Sequence, residues 1–174
     1  MFAATAFRPA ATLATLLYHG LRREELCKLR VDDARQQRCG LVHLAVQGKG
    51  GKTRHLPLHA AAGARIAEYL DAAGHAGEGR GALFRPVHAG RAEGVDQALT
   101  PDAVYKLVRA YSARIGCEVG AHAMRATAAT NALEHHADIA KVQEWLGHAN
   151  IATTKIYDRR TTRPEDSPTF KVAY

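Results

Sequence analysis

Three cysteines in 174 residues, Cys27, Cys39 and Cys117, are odd in number and far apart in the chain. They form no CxxC pair and no disulfide framework, so they read as reduced thiols of a cytoplasmic protein. No apolar run approaches the roughly 20 residues that span a bilayer. The alanine-rich opening "MFAATAFRPAATLATLLYHG" has the wrong charge order for a signal peptide, and Gly20-Leu21-Arg22 leads straight into more helix. Asp32 and Asp33 have no third carboxylate at a useful spacing, and neighbours on a turn point apart, which makes them a solvated turn rather than a metal site. The segment "QGKGGKTRHLPL" contains Gly51-Lys52-Thr53, but a phosphate-binding loop needs glycine at 46, where Val46 stands. Its flank, Thr53-Arg54-His55-Leu56-Pro57-Leu58, alternates polar and apolar as a strand does, whereas a P-loop opens a helix. Nucleotide binding is excluded on both counts.

What is present describes one ordinary folded domain with an unusual charge. The chain is 47% hydrophobic and 24% charged, enough apolar content for a core and close to the globular average. A formal net charge of +7 and a pI near 9.6 point to a polyanionic partner, with nucleic acid first among the candidates. Ten histidines are neutral in that sum, and some add charge below about pH 6.5.

Periodicity places a helix over residues 10–19 with Leu13, Leu16 and Leu17 as its apolar positions, stopped at Gly20. "RREELCKLR" forms a second helix with Leu26 and Leu29 inward. "LVHLAVQ", a glycine-rich turn with Lys49 at its tip, and the strand from Thr53 make a hairpin. "AAAGARIAEYLDAAG" is an amphipathic helix. Residues 74–98 read as a long loop with one short strand at "ALFRP". Thr100-Pro101-Asp102 supplies an N-cap, a proline at the first helical position and an early acid, opening a helix that runs to about Gly116. "AHAMRATAATNALEHHA" follows as a helix. Asp138 caps "IAKVQEWL", which Gly147 ends, and a last short helix covers "TTKIYDRR". The tail closes on the strand-like "TFKVAY". The fold class is therefore mainly α with a small antiparallel β-sheet (α+β). Trp145, the only tryptophan, lies beside Leu146 and reads as core.

His122 and Arg125 stand three apart on one helix, so both emerge from the same face. In "WLGHANIATTKIY" His148 follows a helix-ending glycine and Tyr157 comes nine residues later, on the next short helix. Arg22 opens a helix in "GLRREEL", and Lys49 sits in "GKG". In this order the segments "GLRREEL", "GKG", "HAMR", "LGH" and "TTKIY" resemble the catalytic domain of the tyrosine recombinases, the phage-integrase and Xer-type family. The resemblance covers residues 10 to 160. Each segment is modest alone; the ordered set is specific.

The resemblance implies attack by a tyrosine hydroxyl on a DNA phosphodiester, giving a 3′-phosphotyrosyl link and a free 5′-hydroxyl, with later reversal by another 5′-hydroxyl. The energy stays in the covalent bond, so neither cofactor nor metal is implied. Tyr157 is the implied nucleophile, and Arg22 and Arg125 the phosphate clamps. His148 donates a further hydrogen bond, His122 helps accept the tyrosine proton, and Lys49 protonates the leaving oxygen. Glu25 matches the acidic position that orients the arginine and histidine. Away from the pattern each has a plainer reading. Tyr157 is then a core tyrosine beneath the last helix, with Ile156 beside it buried, and Glu25 a helix-surface acid. Lys52 competes with Lys49 and Arg23 with Arg22, and only the register of the pattern separates them. His135 and His136 match nothing and read as surface residues.

Two departures stand out. The family usually follows its second arginine with histidine, where this chain has Ala126. Its recombinases also carry an N-terminal core-binding domain that closes a clamp on DNA. Here residues 1–160 form the catalytic domain and 161–174 a tail able to dock on a neighbouring protomer, and the clamp domain is absent. Weak, salt-sensitive binding to double-stranded DNA is therefore expected. A homo-oligomer, four protomers on DNA, is the implied working state, with a monomer when isolated. No membrane is implied, and the setting is a bacterial or mobile-element cytoplasm, nucleoid-associated in use. The competing functions are a type IB topoisomerase-like enzyme that relaxes supercoils, and a DNA-binding regulator that has kept the fold and lost cleavage.

Overall fold

The structure is a computed structural model, and it describes residues 2–86 and 97–159 together with Ser167 and Thr169. The expected tail strand falls outside these residues apart from Thr169, as do residues 87–96 of the long loop. Helix α1 (Phe2–His19) begins well before residue 10 and runs through Pro9, and Gly20 ends it as expected. Helix α2 (Arg23–Lys28) is six residues long. A 3-10 turn at Asp32–Arg35 leads into strands β1 (Gln36–Arg38), β2 (Leu41–Gln47) and β3 (Thr53–Pro57). The remaining helices are α3 (Ala60–Ala73), α4 (Pro101–Arg114), α5 (Ala121–Glu134), α6 (Ile139–Leu146) and α7 (Ile151–Lys155).

The sheet is antiparallel in the order β1-β2-β3, one strand more than the expected hairpin. The added strand is three polar residues, too short and too exposed to leave a periodic signal. Across β2 and β3, Leu44 faces Leu56 and Val46 faces Arg54. "ALFRP" forms no strand; Ala82 makes a single bridge to Arg30. The helix caps follow the sequence. The Thr100 hydroxyl accepts from Ala103 N–H at 3.1 Å, and the Asp138 carboxylate accepts from Ala140 and Lys141 at 3.0 Å each.

Two apolar clusters hold the domain. The larger gathers Leu16, Leu26, Val31, Leu44, Val46, Leu56, Tyr69, Phe84 and Val104 from α1–α4, the sheet and the segments that connect them. The smaller joins Ala129, Leu133, Val142, Leu146 and Tyr157 from α5, α6 and the turn after α7. Trp145 packs against both, so its expected core role is that of a bridge between them. Leu17, one of the apolar positions of the first helix, is 41% exposed, and Ile156, expected buried, is 70% exposed. Tyr157 follows α7 in a turn rather than lying on the helix, and the buried residue of the pair is Tyr157, not Ile156. Among the described residues, no helix is long and apolar enough to cross a membrane.

Candidate active site

The turn between α1 and α2 is built so that its backbone can lie against the side chains that end α6. Gly20 has φ +56°, and a Cβ there would come within 2.8 Å of Leu146 Cδ2 and 3.2 Å of the Trp145 ring. Two residues on, Arg22 caps α2 with its backbone N–H donating to Glu25 Oε2 at 2.8 Å, while its guanidinium donates to Oε1 at 2.8 Å. Glu25 is 4% exposed, so it is no surface acid. A buried carboxylate needs partners around both oxygens, and here the second set comes from the sheet.

That second set is Arg54, which the sequence reading passed over. Its Nη1 and Nη2 donate to Glu25 Oε1 and Oε2 at 2.9 and 2.8 Å in a bidentate fork, and its Nε donates to the Trp145 carbonyl at 3.1 Å. A signal existed. Side chains alternate along a strand, so Arg54 shares a face with Leu56, and a cation on the buried face of a strand demands a carboxylate.

Arg125 is 2% exposed. Its guanidinium donates to the Gly20 carbonyl and, at 2.6 Å, to the Leu146 carbonyl, the free ends of α1 and α6. Such carbonyls carry the negative end of the helix dipole, so they suit a buried cation. Glu25 Oε2 lies 4.0 Å away. Burial and then repulsion from Arg22 bring Arg125 down to about 10, which leaves it protonated at neutral pH. Burial alone would raise Glu25, but the hydrogen bonds from Arg54 and the Arg22 N–H outweigh it and hold the carboxyl below its ordinary range.

His148 follows Gly147, whose φ of +67° ends α6. Its Nδ1 lies 2.9 Å from the Thr154 hydroxyl, itself fully buried. In the tautomer whose Nδ1 accepts from Thr154, the ring proton of neutral His148 sits on Nε2. Burial, then the charges of Arg125, Arg22 and Arg54, bring His148 down to about 4, so it is neutral at pH 7. Tyr157 is 8% exposed and its ring lies 6.2 Å from that of His148, centroid to centroid. Thr130 donates to the Tyr157 carbonyl at 3.3 Å and ties it to α5. Ala126, at the position where the resemblance leads one to expect histidine, packs against the apolar cluster that contains Tyr157.

Three guanidiniums against one carboxylate leave this cluster with net positive charge, open to a cleft of about 900 Å³ lined by Arg22, Glu25, Arg54 and His148. Lys49 opens the 3-10 turn Lys49–Gly51 at the hairpin tip, and Gly48, Gly50 and Lys52 of the same tip line that cleft. His122 is exposed near the start of α5 and, with Arg22 and Arg125, borders a separate cavity of about 290 Å³. The fold thus brings Arg22, Glu25, Arg125, His148 and Tyr157 together. Among the described residues no three His, Cys, Asp or Glu side chains are grouped so as to hold a metal ion.

A buried carboxylate thus gathers three arginines beside a neutral histidine and a tyrosine, a cationic cluster whose chemistry suits an anion such as a phosphate. The chain belongs to the phage integrase family, whose family model matches residues 2–163. It is 36% identical over 149 residues to the tyrosine recombinase XerA of Pyrococcus horikoshii, an alignment covering 85% of this chain and 49% of that protein. It is 39% identical over 154 residues to the XerC of a Methylobacterium species, covering 87% and 45%. The crystal structure of XerA recombinase matches with a TM-score of 0.71 at 26% identity, over 91% of this chain and 56% of that one. XerH bound to its difH substrate in a pre-cleavage complex matches with a TM-score of 0.70 at 26% identity, over 92% and 46%. The chain spans about half the length of the curated relatives it matches.

Proposed function

We propose that residues 1–160 are the catalytic domain of a site-specific recombinase or integrase that cuts and rejoins double-stranded DNA through a 3′-phosphotyrosyl intermediate. The observation that carries this is the gathering of residues distant in sequence: Arg22 and Arg125 at one carboxylate, Glu25, with His148 and Tyr157 ring to ring beside them.

In the forward step the Tyr157 oxygen bonds to phosphorus and the bond from phosphorus to O5′ breaks. The Tyr157 proton leaves toward His122 or solvent, and Lys49 gives a proton to O5′. Arg22 and Arg125 face the charge that builds on the non-bridging oxygens. His148 contributes a neutral Nε2–H donor, oriented by Thr154, so its help is directional rather than a further positive charge. Arg125 is already committed to two carbonyls, which makes it the rigid half of the clamp; Arg22, 38% exposed along its side chain, is the accessible half. Four protomers on two duplexes would exchange strands, and the setting is the cytoplasm.

The test is covalent trapping on a random-sequence pool of nicked duplexes, where loss of a short fragment prevents religation. An SDS-resistant adduct that vanishes in Tyr157→Phe supports the proposal. DNA binding with no adduct from the wild-type chain would favour a regulator that has lost cleavage. Relaxation of supercoiled DNA without site preference would favour the topoisomerase-like reading.

A further inference from the structure

Arg54 has no role in the reaction as written above, yet it is the most connected cation of the site. Its three nitrogens are all engaged, two on Glu25 of α2 and one on the carbonyl of Trp145 near the end of α6. The side chain is 16% exposed, and its partners lie 29 and 91 residues away in sequence. A guanidinium held in this way is a poor candidate for gripping substrate phosphate, since its fork already faces a carboxylate.

What it does hold is the hairpin. Arg54 lies in β3 opposite Val46, just below the turn Lys49–Gly51. The deep part of the hairpin is fixed by burial of Leu44, Val46 and Leu56, contacts that resist withdrawal but set no direction. The tip is different. Gly50 and Gly51 both have φ +75° and nothing within 4 Å of where a Cβ would stand, and the turn closes through Gly48 N–H to the Lys52 carbonyl at 2.8 Å. Among the described residues from 47 to 55, Arg54 is the one whose side chain hydrogen-bonds the body of the domain. Hydrogen bonds to a bidentate carboxylate and a fixed carbonyl specify direction as well as distance.

We infer that Arg54 is a positioning residue that locks the hairpin to the Glu25–Arg22 pair and so sets where Lys49 meets the leaving oxygen. The inference rests on the proposed strand-cleaving function. It makes Glu25 a common anchor, tied on one side to the phosphate clamp and on the other to the proton donor. Loss of Arg54 leaves Glu25 its two bonds from Arg22, with Arg125 at 4.0 Å as a reserve, while the tip loses its directional tether.

The test compares two leaving groups. A suicide duplex recovered by trapping with the wild-type chain is made in two forms, one with the ordinary phosphorus–O5′ bond and one with sulfur in place of O5′. An alkyl thiolate leaves as the anion, so the sulfur form needs no proton from Lys49. Single-turnover adduct formation is measured for the wild type, Lys49→Ala, Arg54→Ala, Arg54→Lys and the Lys49→Ala/Arg54→Ala double variant, each checked for folding by thermal melting. General acid catalysis contributes roughly 10²–10⁴-fold. Arg54→Ala is therefore expected to slow the oxygen substrate by about tenfold or more and the sulfur substrate by less than about threefold. The double variant should be no slower than Lys49→Ala alone on oxygen. Arg54→Lys, which keeps the charge for Glu25 but not the fork, should fall between, and it carries the comparison if Arg54→Ala does not fold. Equal slowing of both substrates, or no slowing of either, would overturn the inference. No adduct from the wild-type chain on any duplex would instead overturn the cleavage reading, and this inference with it.

Discussion

Replacing Glu25 with glutamine removes one charge and almost no volume, yet it should be among the most damaging single changes in the domain. The carboxylate accepts from the Arg22 N–H, Arg22 Nη1, Arg54 Nη1 and Arg54 Nη2, all within 2.9 Å, and is 4% exposed. A carboxamide offers one acceptor oxygen and turns its NH₂ toward the donors of Arg54 or Arg22. At least two of the four bonds are lost. At roughly 1.5 kcal/mol for each hydrogen bond to a charged partner, the cost is about 3 kcal/mol, before any penalty for the unpaired guanidinium. For a domain of this size that lowers Tm by roughly 6–12 °C.

The same change has a signature in pH. Glu25 ionises at lower pH in the folded protein than in an unfolded chain, where the value is about 4.3. Its stabilising effect is therefore complete above the unfolded value and is lost as pH falls through the folded one. Glutamine has no such dependence, so the gap between wild type and variant should be full at pH 7 and narrow steadily below about pH 4. Chemical denaturation followed by circular dichroism across that range measures it. A Glu25→Gln protein within about 0.5 kcal/mol of wild type at pH 7, the usual range for surface changes, would refute the reasoning. A gap that ignores pH would refute the assignment of the charge.

Thr154→Val preserves shape but removes the partner of His148 Nδ1. Nitrogen NMR of the His148 ring should show loss of the single Nε2–H tautomer, and adduct formation should slow while Tm changes little; an unchanged tautomer would contradict the arrangement. The three thiols should react unequally. Cys39 and Cys117 are exposed, whereas Cys27 is half-buried and burial pushes it up to about 11, so a thiol reagent at pH 8 should count two fast groups and a third only on denaturation. Equal rates for all three would argue against the placement of Cys27. DNA binding by this chain should weaken steeply with added salt, read as the slope of log affinity against log salt in filter binding; binding that stays tight at high salt would count against a phosphate-led interface.

The features legible in the sequence were those written locally or in order along the chain. Thr100, Asp138 and Gly147 announced helix ends through chemistry within three residues of themselves. Arg22, Arg125, His148 and Tyr157 were singled out by spacing and by a family pattern, and the fold brings them together. Arg54 escaped because its meaning depends on Glu25, 29 residues earlier, and on a backbone carbonyl 91 residues later. Ile156 reads as buried because hydrophobicity ranks isoleucine high, yet it is 70% exposed. The turn after α7 instead carries Tyr157 into the cluster with Leu133, Val142 and Leu146 and leaves Ile156 in solvent. The strand Gln36–Arg38 was invisible because it is polar, and pairing with β2 defines it.

If Tyr157 is the nucleophile of the proposed DNA strand transfer, the covalent link itself can be read directly. Trapped adduct should be digested with nuclease and protease, and the peptide carrying residual nucleotide sequenced by tandem mass spectrometry. The nucleotide should be joined through its 3′-phosphate to Tyr157, in the peptide that follows Lys155. A nucleotide on any other residue, or a 5′-phosphate linkage, would contradict it.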